Sequence, residues 1–149
     1  MLFEVGEFCE KVEDDLAGLV DELVELTNRQ TDSEILAWQR SLPKLSIALN
    51  DQRLQNFHLQ LGGAKGGALS LEYQLPASSS WCDAVLLGHG ETSPSVVMLE
   101  LKDWVIMNDH PTRHENLIEH HGKVMLHPSD QVRGYVEYCR YFHQEVLRH

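Results

Sequence analysis

Apolar residues recur three or four positions apart through the first part of the chain, and Glu and Asp fill most of the positions between them. The apolar positions are Phe8, Val12, Leu16, Leu19, Val20, Leu23 and Leu26. This spacing predicts an amphipathic helix over residues 4–29. We expect its apolar face to cover the rest of the fold. A seam between two copies of the chain and a shield over a substrate cleft are the alternatives, in that order.

A second helix is predicted directly after the first. Thr31 and Glu34, in the run TDSE, fit a capping box, in which the two side chains satisfy backbone N–H groups at the start of a helix. The helix continues through Trp38. Pro43 is expected to divide it into two pieces, because proline lacks the N–H that a helix interior needs.

The remainder of the chain alternates between strand and turn patterns. Glycines in the run GGAKGG predict a turn over residues 62–67. The predicted segments that follow are strands at 69–75, 81–88 and 96–104, a polar, histidine-rich loop at 105–122, and a strand at 123–126. A last helix is expected to begin with Ser129 as its N-cap. This order predicts an α/β fold with a central mixed β-sheet of about four strands flanked by helices.

Length and composition indicate one globular domain. The chain has 149 residues, of which 42% are hydrophobic and 23% charged, as is ordinary for a folded domain. Its apolar runs are far too short to cross a membrane, and the N-terminus lacks the basic flank of a signal peptide. Cys9, Cys82 and Cys139 are far apart and form no CxxC pair. We therefore expect a cytoplasmic protein without a disulfide framework.

The negative charge of the chain is concentrated at one end. The formal net charge is −11, and residues 1–34 hold eleven acidic and two basic residues. Residues 35–149 hold twelve acidic and ten basic residues, together with all nine histidines. This larger part is close to neutral and could carry a local basic surface, so the acidity of the whole chain does not exclude nucleic acid as a partner.

Two acidic residues interrupt apolar strand patterns. Asp83 lies inside the run WCDAVLLG, and Glu100 follows VVML and precedes Lys102 by two positions. Aspartate is depleted in strand interiors, and a buried carboxylate is costly unless it is paired or bound to an ion. A strand–turn–strand connection would place Asp83 and Glu100 on neighbouring strands, where they could hold a hard divalent cation. A salt bridge between Glu100 and Lys102 is the alternative explanation.

These residues, in this order, resemble the PD-(D/E)xK nuclease superfamily. Its acidic pair and lysine would be Asp83, Glu100 and Lys102. Gln131 and Tyr135, four positions apart, match the Q-x-x-x-Y signature of the RecB-like branch. Four segments resemble a nuclease-like domain that precedes a helicase module in certain bacterial proteins: LEYQLP, DAVLLG, LELKDW and HPSDQVRGYVEY.

The resemblance covers residues 35–145 and implies both a fold and an activity. The fold would be a restriction-endonuclease-like core at 31–149, preceded by an extra acidic helix at 1–30 within a single nuclease-like domain. The activity would be phosphodiester hydrolysis that depends on Mg²⁺ (or Mn²⁺), usually on DNA. A helicase and a second copy of the chain are further candidate partners.

The resemblance also implies a role for each matching residue. Asp83 and Glu100 would bind the metal ion, with the backbone carbonyl of Leu101 as a further ligand. Lys102 would position or activate the attacking water. The Q-x-x-x-Y pair would support the edge of the active site and contact the substrate or the lysine.

Several features leave alternatives open. Glu72 is a candidate third acidic group if its strand adjoins that of Asp83, and otherwise a solvent-facing strand residue. The histidine-rich loop has no cysteine at ligand spacing, so we expect it near DNA rather than around zinc. Trp38 and Trp104 are expected to be packing residues. The alternative to an enzyme is a nuclease-fold module that binds nucleic acid or a helicase partner without cutting.

Overall fold

The computed structural model describes residues 1–27, 31–55, 57–60, 73–74, 81–89, 93–102, 104 and 109–142. The helices among them are α1 (Val5–Thr27), α2 (Asp32–Leu49) and α3 (Pro128–Phe142), with a 3₁₀ turn at Gln52–Leu54. The strands are β1 (Leu2–Glu4), β2 (His58–Gln60), β3 (Tyr73–Gln74), β4 (Trp81–Cys82), β5 (Ala84–His89), β6 (Pro94–Leu99), β7 (Asp109–Pro111), β8 (Leu117–His120) and β9 (Lys123–Leu126). None of these helices is long and apolar enough to span a lipid bilayer. The chain divides into two compact units, a first unit Met1–Leu101 and a second unit Lys102–His149.

The first unit contains a four-stranded sheet with the strand order β1-β2-β5-β6, and each of its pairings is antiparallel. The α/β class is confirmed, whereas the prediction of a mixed sheet is wrong for these strands. The connection between β5 and β6 explains their direction. It spans only residues 90–93, and parallel neighbours would need a crossover of a dozen or more residues.

The core of the first unit is built from α1, α2, β2 and β5. Its buried residues are Val5, Phe8, Val12, Leu19, Val20, Leu23, Trp38, Leu42, Leu45, Leu49, Leu59, Ala84 and Leu86. The predicted amphipathic pattern is confirmed, and its apolar face packs inside this core. The helix is not continuous, however, because α1 is kinked at Asp15, where φ is −149° and ψ is 60°. The preceding strand β1, which pairs with β2, escaped the sequence analysis because three residues are too few to show a period.

Helix α2 begins as predicted but does not break at Pro43. The hydroxyl of Thr31 accepts a hydrogen bond from the backbone N–H of Glu34 at 3.4 Å and donates one to the Glu34 carboxylate at 2.5 Å. Thr31 is therefore confirmed as the N-cap, and Glu34 contacts it through the Thr31 hydroxyl. The helix then runs unbroken from Asp32 to Leu49, so the predicted division is wrong. Proline removes one helical hydrogen bond, but apolar residues on both sides of it are buried in the core and hold the helix together.

The second unit contains the antiparallel sheet β7-β8-β9, followed by α3. Strand β9 confirms the prediction at 123–126, whereas β7 and β8 lie in the segment that was predicted as a loop. Every side chain of β8 is only partly buried. Its sequence, LIEH, does not alternate between apolar and polar residues, so it carries no strand signal. Helix α3 is capped by His127 rather than Ser129, since the backbone N–H of Ser129 donates to Nδ1 of His127 at 3.2 Å. Pro128 then takes the first helical position, where its missing N–H costs nothing.

Candidate functional site

The two acids predicted as metal ligands lie at one end of the β5–β6 ladder. Its last paired residues are Ala84 and Leu99, and Asp83 and Glu100 occupy the next position on each side. The register therefore brings both acids to the same end of the ladder, as the strand–turn–strand connection predicts.

Asp83 interrupts the strand in which it was predicted to lie. It forms a bend between β4 and β5, and its Oδ2 accepts a hydrogen bond of 2.6 Å from the backbone N–H of Leu101. The predicted strand at 81–88 is consequently two short strands, and the predicted strand at 96–104 ends at Leu99. This hydrogen bond ties the carboxylate to the end of the opposite strand and limits its rotation.

A buried thiol lies beside both acids. Cys82 is fully buried, and its Sγ lies 3.3 Å from the carbonyl oxygen of Ala84 and 3.6 Å from that of Leu99. Burial raises the pKa of the Cys82 thiol to about 12, and the negative charges of Asp83 and Glu100 contribute to this rise. The thiol therefore stays protonated at neutral pH and is no nucleophile. Both carboxylates are close enough to act on this one group, and the potential they create favours a cation.

A small cavity in the first unit adjoins Asp83. Its volume is about 110 Å³, room for about three or four waters at roughly 30 Å³ each. The residues that line it are Glu34, Ala37, Trp38, Ser41, Leu42, Asp83 and Leu101. An ion held at Asp83 would therefore have space for part of its hydration shell.

Glu34 is an acidic residue of this cavity that the sequence analysis considered only as a helix cap. Its carboxylate accepts the hydrogen bond from Thr31, yet the residue shares the cavity lining with Asp83. Glu34 precedes Trp38 by four positions and Ser41 by seven, a spacing that puts all three on one face of α2. That helical spacing is the signal that could have identified it.

The donor set at the end of the ladder fits a hard cation bound largely through water. Within the described part of the chain, no three His, Cys, Asp or Glu side chains form a group that could hold a metal ion. Mg²⁺ does not need such a group, because it commonly binds through one or two carboxylates and keeps several waters. Asp83 and Glu100, with the backbone carbonyl of Leu101, would supply three oxygens. Oε2 of Glu100 is buried, and a buried carboxylate oxygen gains more from a cation than an exposed one.

Lys102 follows this segment and is the first residue of the second unit. Strand β6 ends before Glu100, so strand alternation no longer determines where the Lys102 side chain points. Within the second unit, its Nζ lies 5.7 Å from the ring centroid of Trp104, a cation–π contact. The catalytic role of Lys102 stays a prediction.

Gln131 and Tyr135 meet on helix α3, also in the second unit. Nε2 of Gln131 donates a hydrogen bond to the hydroxyl oxygen of Tyr135, and Tyr135 is buried. The four-residue spacing thus brings the two side chains together, as predicted for one helix face. Their role beside an active site stays a prediction.

Glu72 lies outside the described residues, as does most of the predicted strand at 69–75, of which β3 covers two positions.

We compared the chain with protein-family models, with curated protein sequences and with solved structures, and none of the three comparisons found a match.

Proposed function

We propose that the chain is a metal-dependent nuclease that hydrolyses phosphodiester bonds in DNA, built on a restriction-endonuclease-like core of the PD-(D/E)xK type. The observation that carries this proposal is that Asp83 and Glu100 each come directly beyond the last pair of the β5–β6 ladder, at the same end of it. Two negative charges at the same end of a ladder repel each other. A divalent cation between them would remove this repulsion.

Each residue of the proposed centre has a definite task. Asp83 and Glu100 hold the ion, and the hydrogen bond from Leu101 keeps the Asp83 carboxylate in place before the ion arrives. Bound Mg²⁺ supplies Lewis-acid chemistry, by polarising the phosphate and making a bound water more acidic. Lys102 is proposed to position the attacking water and to stabilise the negative charge that develops on the phosphate.

The proposal is tested by incubating the chain with supercoiled and linear DNA in the presence of Mg²⁺, Mn²⁺ or EDTA. We expect cleavage with either metal and none with EDTA. Asp83→Asn should lower the cleavage rate on the order of 10²-fold or more, because a ligand of the ion is lost. Asp21→Asn, the same change at an exposed position of α1, is the matched control and should cut like the wild type.

A second variant separates cutting from binding. Lys102→Ala should still bind DNA in a gel shift, since one charge is a small part of an electrostatic footprint. It should nevertheless cut roughly 10²-fold more slowly. Lys123→Ala, at an exposed position of β9, serves as its control. If the wild type binds DNA but cuts neither DNA nor RNA with either metal, the function is that of a non-cleaving nucleic-acid-binding module.

A further inference from the structure

Three aromatic side chains of the second unit form a contiguous cluster that the proposed cleavage chemistry does not use. The rings of Trp104 and His120 lie nearly parallel, with centroids 4.5 Å apart and an interplanar angle of 17°. The ring of His121 packs edge to face against the ring of His120, with centroids 4.3 Å apart. Lys102 adds its ammonium group over Trp104. We call the three rings, Trp104, His120 and His121, the ring stack.

His121, the exposed end of the ring stack, lies in a tight turn with a positive φ angle. His121 and Gly122 form the two-residue turn between β8 and β9, and His121 has a positive φ of 49°. Such turns favour Asn-Gly, because a non-glycine residue in this conformation is strained and Asn tolerates it best. Histidine adopts this conformation more often than most residues but less readily than Asn, and here it is exposed.

The chemistry of the ring stack fits a nucleobase. Flat aromatic rings beside a cation are the arrangement with which proteins hold unpaired bases, whose faces stack on the rings while the cation meets the phosphate backbone. The charge of the second unit agrees with this ligand. It holds six basic and seven acidic residues together with seven of the nine histidines, so it lacks the strong negative charge of the first unit.

We propose that the ring stack, with His121 as its exposed end, binds an unpaired nucleobase, and that single-stranded nucleic acid is the substrate class of this chain. The choice of ligand rests on the proposed function. A paired base inside a duplex offers no free face, so a blunt duplex should be a weaker ligand than a single strand.

The test measures binding in EDTA, so that no cleavage occurs. A fluorescently labelled single-stranded oligonucleotide is titrated with the wild type and with His121→Asn, and an abasic oligonucleotide of equal length and a blunt duplex are titrated in parallel. We expect His121→Asn to weaken binding of the single strand by roughly 5- to 150-fold. Binding of the abasic strand, which has the same phosphates but no bases, should hardly change. DNA and RNA versions of the oligonucleotide show which sugar is preferred.

The substitution also separates recognition from folding. Asn suits the turn better than His, so the thermal midpoint of His121→Asn should equal or exceed that of the wild type even as binding weakens. His114→Asn, an exposed histidine outside the ring stack, is the matched control and should leave both quantities unchanged.

Three results would overturn the inference: equal binding of the single strand by His121→Asn and the wild type, an equal loss of binding for the abasic strand, or a preference for the duplex. Base-dependent binding that requires His121, without cleavage in any metal, would refute the nuclease and keep the ring stack. Cleavage of single strands by His121→Asn at the wild-type rate would support the nuclease and refute the role proposed for the ring stack.

Discussion

The two units of the chain differ in what they bury and in the charge they carry. The first unit holds a core of apolar residues from two helices and two strands, whereas Tyr135 is the buried hydrophobic residue among the described positions of the second. The first unit has sixteen acidic and six basic residues, a balance of −10, and the second has seven and six, a balance of −1. The comparison indicates that the first unit supplies most of the folding free energy, whereas most described side chains of the second unit remain at least partly exposed.

The largest expected difference between the units concerns core packing. Leu42→Ala in α2 removes a fully buried side chain and should lower the free energy of unfolding by about 2–5 kcal/mol. Val124→Ala in β9, where the side chain is 61% exposed, should change it by less than about 0.5 kcal/mol. Urea denaturation measures both. Similar losses in the two variants would show that the second unit contributes as much core as the first.

The same glycine-to-alanine change should have opposite signs in the two units. A Cβ at Gly88, in β5, would lie 2.1 Å from the ring of Phe57, so Gly88→Ala should destabilise the first unit by about 1–3 kcal/mol. A Cβ at Gly134, in α3, would meet nothing within 4 Å, so Gly134→Ala should stabilise the helix by about 0.5–1 kcal/mol.

Amide hydrogen exchange measures the two glycine variants best, because the amides of β5 and of α3 report the stability of each unit separately. Faster exchange in β5 for Gly88→Ala and slower exchange in α3 for Gly134→Ala are expected. Two changes of the same sign would contradict the packing described for one of the two glycines.

The buried thiol of the first unit should also make stability depend on alkaline pH. The pKa of Cys82 is about 12 in the folded chain and about 9 for an ordinary thiol, so the unfolded chain releases this proton first. Stability from the protonated thiol is fully present below pH 9 and is lost as the pH rises from 9 towards 12. The wild type should lose up to about 1.4 kcal/mol per pH unit more than Cys82→Ala in this range. If the free energy of unfolding of the two proteins falls equally between pH 9 and 12, the pKa of the Cys82 thiol is not raised in the folded chain.

The parts of the fold that sequence reasoning identified are those governed by local patterns. The period of α1, the N-cap of α2 and the strand β9 depend on residues a few positions apart, and the sequence contains that information. The continuity of α2 through Pro43 and the antiparallel direction of the sheet depend on tertiary packing, which overrides local preference. Strands β7 and β8 were missed because they are short and their residues, DHP and LIEH, do not alternate between apolar and polar.

The candidate site was predictable to a similar degree. Asp83 and Glu100 could be identified because each stands against the pattern of its own strand. The hydrogen bond from Leu101 to Asp83 joins residues eighteen positions apart, and no local pattern reveals it. Glu34 was missed because the capping box already gave it a sufficient local role. The stack of Trp104 on His120 is likewise a contact between distant positions.

The central claim is that Asp83 and Glu100 bind one divalent ion, and titration calorimetry with Mn²⁺ tests it most directly. The wild type should bind one ion per chain. Asp21→Asn should bind it with the same affinity, since that change removes a negative charge of the same unit from an exposed position of α1. Asp83→Asn should bind the ion at least about tenfold more weakly, because a carboxylate ligand becomes a neutral amide. If Asp83→Asn and Asp21→Asn titrate identically, or if the wild type binds no ion, the metal centre proposed at the end of the β5–β6 ladder does not exist.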